Sequence, residues 1–129
     1  VNTARSRARQ CGDRRMTAAP PVRANARLRA AAAAHAKDMA ERSYFSHNGS
    51  DGSQVGDRAR RSGYAWRTVG ENIAAGQLKA DAAMNGWLKS PSHCANLMQP
   101  SYTEMGLAFA VNPQSESGVY WVQVFGLPE

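Results

Sequence analysis

The first 43 residues contain no Phe, Tyr or Trp. Nine arginines lie in that stretch: Arg5, Arg7, Arg9, Arg14, Arg15, Arg23, Arg27, Arg29 and Arg42. Single-stranded nucleic acid is gripped by basic side chains interleaved with aromatic stacking platforms. The basic stretch lacks the platforms, so no nucleic-acid partner is expected. Long apolar runs are also missing, and nothing approaches the roughly 20 residues of a membrane-spanning helix. Val1-Asn2-Thr3-Ala4-Arg5 has no apolar core of the kind a secretory leader carries. The chain starts without Met, inside a helix-like pattern, which fits an exported protein whose leader has been removed. Zinc-protease, phosphate-loop and nucleophile-elbow spacings are absent as well. Ser46 and Ser92 each precede a histidine, but neighbours in sequence do not make a nucleophile–base pair, whose geometry is built in three dimensions.

Cysteine is scarce. Cys11 and Cys94 are the two present, and with no CxxC pair a thiolate zinc site is not expected. They form either a disulfide, which implies an oxidising compartment, or two buried thiols. Cys11 lies in an Arg-rich polar stretch that would expose a free thiol, so the disulfide is the expectation. Cys94 as a nucleophile beside His93 competes with it.

What is present suits one domain over residues 1–129, with 43% hydrophobic residues to build a core. The net charge is +6, with 16 basic against 10 acidic side chains. That excess reads either as a surface for an anionic partner, such as phospholipid headgroups or an acidic cell-wall polymer, or as an ordinary solvated Arg-rich surface. A monomer is expected.

Along the chain, residues 1–10 read as a short helix with a basic face, and 11–24 as a connector broken by Gly12 and Pro20-Pro21. Asn25 caps the strongest helix, 25–42, where Leu28, Ala32, His35 and Met39 recur at helical spacing. His35 there reads as a packed helix-face residue. Residues 43–52 form a loop that Tyr44 and Phe45 anchor in the core. Ser53–Arg61 reads as a short helix closed by Gly63, Gly70–Gly76 as a polar turn or short strand, and Lys79–Lys89 as a helix. Pro91 opens a last helix running to about Leu97. Residues 104–111 and 119–125, rich in Val, Phe, Tyr and Trp, read as an antiparallel hairpin. Helices followed by a terminal hairpin indicate an α+β domain, helices packed on a small antiparallel sheet.

Three polar clusters carry the candidate chemistry: Ser46-His47-Asn48-Gly49, Gly70-Glu71-Asn72-Ile73-Ala74 and Ser90-Pro91-Ser92-His93-Cys94. Each offers one group able to move a proton or ligate an ion: His47, Glu71 and His93. Glu71 enters an apolar segment, where a carboxylate must be paired or functional.

The clusters, with Ala34-His35-Ala36-Lys37-Asp38-Met39-Ala40, Phe45-Ser46-His47, Asp57-Arg58, Gly63-Tyr64, Trp87-Leu88-Lys89-Ser90-Pro91-Ser92-His93, Ala95-Asn96-Leu97-Met98, Gly106-Leu107 and Tyr120-Trp121-Val122-Gln123, resemble the CAP superfamily in its compact bacterial form. This is the family of SCP, cysteine-rich secretory and pathogenesis-related domains. The resemblance implies an α–β–α sandwich with a three-stranded antiparallel sheet between helical layers. It also implies secretion or periplasmic export. Of the family's His/Glu tetrad, which can hold a divalent metal, His47 and Glu71 match two positions. Ser90 and Tyr120 stand where the other Glu and His would be. A zinc ion on His47, Glu71 and His93 would have three protein ligands and an open position.

Three functions remain open on this reading. The first is a cleft that binds a cell-envelope, lipid or glycan ligand, lined in part by Trp66, Trp87, Tyr120 and Trp121. The second is a hydrolase in which Glu71 acts as base on a water, with His47 and His93 as ligands or acid/base partners. The third is a structural or interaction module in which the clusters only support the fold.

Overall fold

The structure, a computed structural model, describes all 129 residues. In chain order the elements are α1 (Asn2–Arg5), β1 (Arg9–Cys11), β2 (Arg14–Met16), β3 (Arg23–Ala24), α2 (Ala26–Arg42) and α3 (Val55–Arg61). They continue with β4 (Trp66–Ala75), α4 (Ala80–Lys89), α5 (Pro91–Leu97), β5 (Glu104–Val111) and β6 (Val119–Pro128). Strands β5, β6 and β4 form the antiparallel sheet in that order, and two residues of β3 add a parallel edge to β5. Strands β1 and β2 make a separate antiparallel ribbon.

Successive strand residues point to opposite faces, and the two faces of β6 bury different partners. Tyr120, Val122 and Val124 pack with Leu28, Ala32, Ala36 and Met39 of α2. Trp121 packs with Ala83 and Trp87 of α4, and Phe125 with Cys94, Leu97 and Met98 near α5. The sheet is therefore the middle layer of an α–β–α sandwich. Asn25 caps α2 as expected, its side chain accepting from the backbone N–H groups of Arg27 and Leu28. The alanine face of α2 lies very close to β5. A Cβ on Gly106 would collide with the backbone of Leu28 and Arg29.

Several expectations need correction. The segment 1–10 is helical only over Asn2–Arg5, and the region read as a connector contains β1, β2 and β3. Arg5 is not on a basic surface: its side chain is fully buried and donates to the carbonyls of Pro20, Leu97, Gln99 and Tyr102. Three of those carbonyls lie at the end of α5 and in the loop after it, and Pro20 lies between β2 and β3, so the guanidinium satisfies backbone groups that no helix turn reaches. Phe45 is 52% exposed rather than anchored in the core. Of the two readings of 70–76, polar turn or short strand, the strand holds: residues 70–75 are the second half of β4, the sheet's third antiparallel strand, with Glu71 opposite Val124 and Asn72 opposite Gln123. Its polar side chains leave that choice open in the sequence because they point inward and are satisfied there.

Cys11 and Cys94 are joined in a disulfide, their Cα atoms 5.4 Å apart. Cys11 is buried, not in an exposed loop, and the bond ties the β1–β2 ribbon to α5.

Candidate functional site

Strand β4 is the outer edge of the sheet, so the two helical layers meet along its flank. Consecutive residues Glu71 and Asn72 point into opposite layers. Glu71 turns toward α3 and the loop after α2. Its Oε2 accepts from Arg58 Nη2 at 2.9 Å, and its Oε1 pairs with His47 Nδ1 at 2.9 Å. A carboxylate only accepts, so His47 presents its Nδ1–H to Glu71. The Glu71 side chain is 2% exposed, whereas that of His47 is 58% exposed.

Arg58, buried at the end of this arrangement, also donates to His47 O at 2.8 Å and Ser53 O at 2.8 Å. One guanidinium thus neutralises Glu71 and fixes the loop that carries His47. His35 contributes from below. Its Nε2 contacts Ser46 O at 2.8 Å, and burial pushes its pKa down. It is the packed helix-face residue expected of it, and it braces the backbone just before His47.

Asn72 turns the other way. Its Nδ2 donates to His93 O at 3.3 Å and to Gln123 Oε1 at 3.1 Å, and its Oδ1 accepts from Asn96 at 3.1 Å. This anchors the start of α5. His93 Nδ1 pairs with Ser90 Oγ at 2.8 Å. Ser90, which stands where the family's second Glu would be, is therefore the residue that orients His93. The His93 pKa is lowered, first by burial and then by the charge of nearby His47.

His47 and His93 line one cleft of about 350 Å³, together with Arg14, Ser92, Asn96 and Gln99. Eight of its ten wall residues are polar or charged, Met16 and Ala95 being the exceptions. His93 is also the wall shared with an adjoining hollow of about 500 Å³, where Phe45, Ile73 and Trp87 supply apolar surface. The structure thus brings His47, Glu71 and His93 to one place. It leaves Tyr120 out, buried in the core on the α2 side. Of the aromatic residues expected along the cleft, Trp87 reaches the adjoining hollow, Trp121 and Tyr120 pack elsewhere, and Trp66 lies under Arg60.

Glu71 has no free oxygen for an ion, and no three His, Cys, Asp or Glu side chains stand together as a ligand set. The three-ligand zinc set does not fit these residues. Glu71 acts instead as the hydrogen-bond partner that orients the His47 ring.

Sequence reasoning missed Arg58, Asn72, Asn96 and Arg14 as site residues. The signal for Arg58 was indirect: a carboxylate in an apolar strand demands a cation, but the sequence does not say which.

The family model for the cysteine-rich secretory protein family, CAP, matches residues 1–125. The chain belongs to the CAP family. An uncharacterized protein of Bacillus subtilis, YkwD, is 30% identical over 105 residues, covering 81% of this CAP chain and 39% of that protein. An extracellular protein containing a SCP domain from Bacillus anthracis superposes with a TM-score of 0.75 at 30% identity, covering 84% of this chain and 34% of the other. An outer surface protein of Borrelia burgdorferi superposes with a TM-score of 0.76 at 20% identity, covering 86% and 80%. The CAP chain thus spans well under half the length of both Bacillus relatives, and the Borrelia likeness is one of fold.

Proposed function

We propose that this CAP domain works outside the cytoplasm, secreted or periplasmic, and that its His47–His93 cleft binds a polar cell-envelope glycan bearing carboxylates, such as a peptidoglycan fragment. The observation that carries this reading is the state of Glu71. With both oxygens engaged and its side chain shut away from water, it is a poor general base, which must reach the proton it abstracts. Its role is to position His47. The cleft wall then offers Arg14, Ser92 and Asn96 as neutral and cationic donors, with the two imidazoles beside them. Such walls suit hydroxyls, amides and carboxylates better than acyl chains. The adjoining apolar hollow leaves room for a methyl or peptide branch. The Cys11–Cys94 disulfide and the extracellular Bacillus relative support an oxidising location.

A zinc ion, where bound, would take Nε2 of His47 and of His93 and polarise a ligand oxygen. Two nitrogens are fewer than the three or four protein ligands of tight zinc sites, so binding would be weak.

The test is an NMR titration with a purified disaccharide–tripeptide muropeptide, compared with phosphatidylglycerol vesicles. Saturable shifts of the His47 and His93 rings with the muropeptide, weakened at least tenfold in His93→Ala, are expected. Ring shifts produced by vesicles and not by muropeptide would overturn the glycan assignment. Cleavage of the muropeptide that persists in wild type and disappears in Glu71→Gln would restore the hydrolase reading.

A further inference from the structure

A chain of hydrogen bonds runs from the cleft through the sheet. Tyr102 OH donates to Asn96 Oδ1 at 3.1 Å, Asn96 Nδ2 to Asn72 Oδ1 at 3.1 Å, and Asn72 Nδ2 to Gln123 Oε1 at 3.1 Å. Its direction is fixed, because Asn72 Nδ2 also faces His93 O, a carbonyl that only accepts. Gln123 must therefore present its oxygen to Asn72 and its Nε2 away from it. Gln123 is fully buried, and that Nε2 has no partner.

A buried donor left unpaired is costly, about 1–3 kcal/mol, and native interiors carry few of them. Gln123 also forms part of the wall of a separate hollow of about 260 Å³ between α4 and the sheet. Seven of that hollow's nine wall residues are hydrophobic, among them Met84, Trp87, Leu107 and Trp121. Both indoles have already spent their N–H groups, Trp87 on Ile73 O at 3.0 Å and Trp121 on Gln77 O at 2.9 Å. Gln123, its Nε2 unspent, is thus the wall residue of this mainly apolar recess that has a free side-chain donor. The two charged groups on its wall residues, the Asp81 carboxylate and the Val1 α-amino group, are of opposite sign and leave no net charge to draw an ion there.

We propose that this hollow is a second binding site, for a neutral apolar molecule carrying one carbonyl oxygen that accepts from Gln123 Nε2. An apolar cavity of about 150 Å³ admits benzene, and drug-sized ligands need about 300–1,000 Å³. The recess lies between, which sets the occupant at roughly ten non-hydrogen atoms on the same ratio. A ketone, ester or amide on a short alkyl or aryl body meets these demands. This hollow is separate from the His47–His93 cleft, and its occupancy does not depend on that cleft binding a glycan.

The test compares propiophenone with propylbenzene, which match in shape and differ in the carbonyl. In 15N-resolved NMR titrations of the whole chain, propiophenone should shift the Gln123 side-chain amide and the Trp87 and Trp121 indole signals saturably. It should bind at least fivefold more tightly than propylbenzene. Ala80→Phe, at the exposed rim, should abolish both titrations while leaving the muropeptide response of the His47 and His93 rings unchanged. Gln123→Met should bring the two compounds within twofold of each other. Equal affinities for the wild type would overturn the donor role of Gln123. No saturable shift at the solubility limit, or shifts confined to the His47 and His93 rings, would overturn the site and leave a recess that holds water alone.

Discussion

Glu71 is a carboxylate on a strand, and its burial is tolerable because Arg58 and His47 occupy its two oxygens. Such pairs contribute little beyond what well-packed apolar residues would, but removing one partner leaves an uncompensated charge and costs about 3–5 kcal/mol. Arg58→Met is therefore expected to lower the urea midpoint by an amount corresponding to about 3–5 kcal/mol. The double variant Arg58→Met/Glu71→Leu should recover a large part of that loss. A single variant that unfolds within about 1 kcal/mol of the parent would show that Glu71 does not depend on Arg58. At this scale the sequence exposed the demand and concealed the supplier. Glu71, His47 and His93 stood out beside turn residues, whereas Arg58 looked like one more arginine in a basic chain. Arg5 was hidden the same way. Nothing in Asn2–Arg5 distinguishes a guanidinium bound to four carbonyls from its solvated neighbours.

Among elements, the contact between α2 and β5 depends on the absence of side chains. The alanines of α2 and Gly106 of β5 let two backbones approach, and a Cβ at 106 would meet the helix main chain, which cannot rotate away. Overpacking of this kind typically costs about 1–3 kcal/mol. Gly106→Ala should fall at or above the upper end of that range, read from the thermal or urea midpoint, and Ala108→Gly on the same face should cost less. Helical spacing made α2 and α4 legible, Pro91 at the first position marked α5, and the Val, Phe, Tyr and Trp content marked the β5–β6 hairpin. Strand β4 stays undecided between turn and strand in the sequence for a physical reason: Glu71 and Asn72 are polar yet buried, so the alternation of apolar and polar residues that marks a strand is missing. The ribbon of β1 and β2 is too short for any period to register. Its place is set by the Cys11–Cys94 bond, which closes a long loop and ties it to α5. Cys11→Ser/Cys94→Ser should therefore lose about 2–4 kcal/mol. Loss of stability without loss of the muropeptide response of His47 would show that the bond holds the ribbon and not the cleft.

For the whole molecule, the α–β–α order was legible from the blocks that resemble the CAP family, while the position of the cleft was not. It lies where two layers meet at the edge of a strand whose existence the sequence left open. That placement couples the site to global stability through pH. His35 and His93 both have pKa values lowered from the ordinary 6.5, in each case mainly by burial, with the charge of His47 adding to the effect at His93. A lowered value means the unfolded chain binds more protons than the folded one once the pH drops below the unfolded value. Stability then rises with pH across that interval. The contribution is present in full above about pH 6.5, and it is lost as the pH falls from there through the folded values of the two rings. Asp38 acts in a lower window. Burial alone would raise its pKa, but hydrogen bonds from Tyr44 and Ser50 outweigh this and lower it below 3.8, so its contribution is lost only under stronger acid. Urea midpoints measured at pH 7.5, 6.0 and 5.0 should therefore fall steadily, before any carboxylate limb begins. His93→Asn should make that slope shallower, and His35→Asn shallower still, since His35 is the more deeply buried of the two. A slope that is flat in the wild type, or unchanged in both variants, would mean that neither ring is held neutral by the fold.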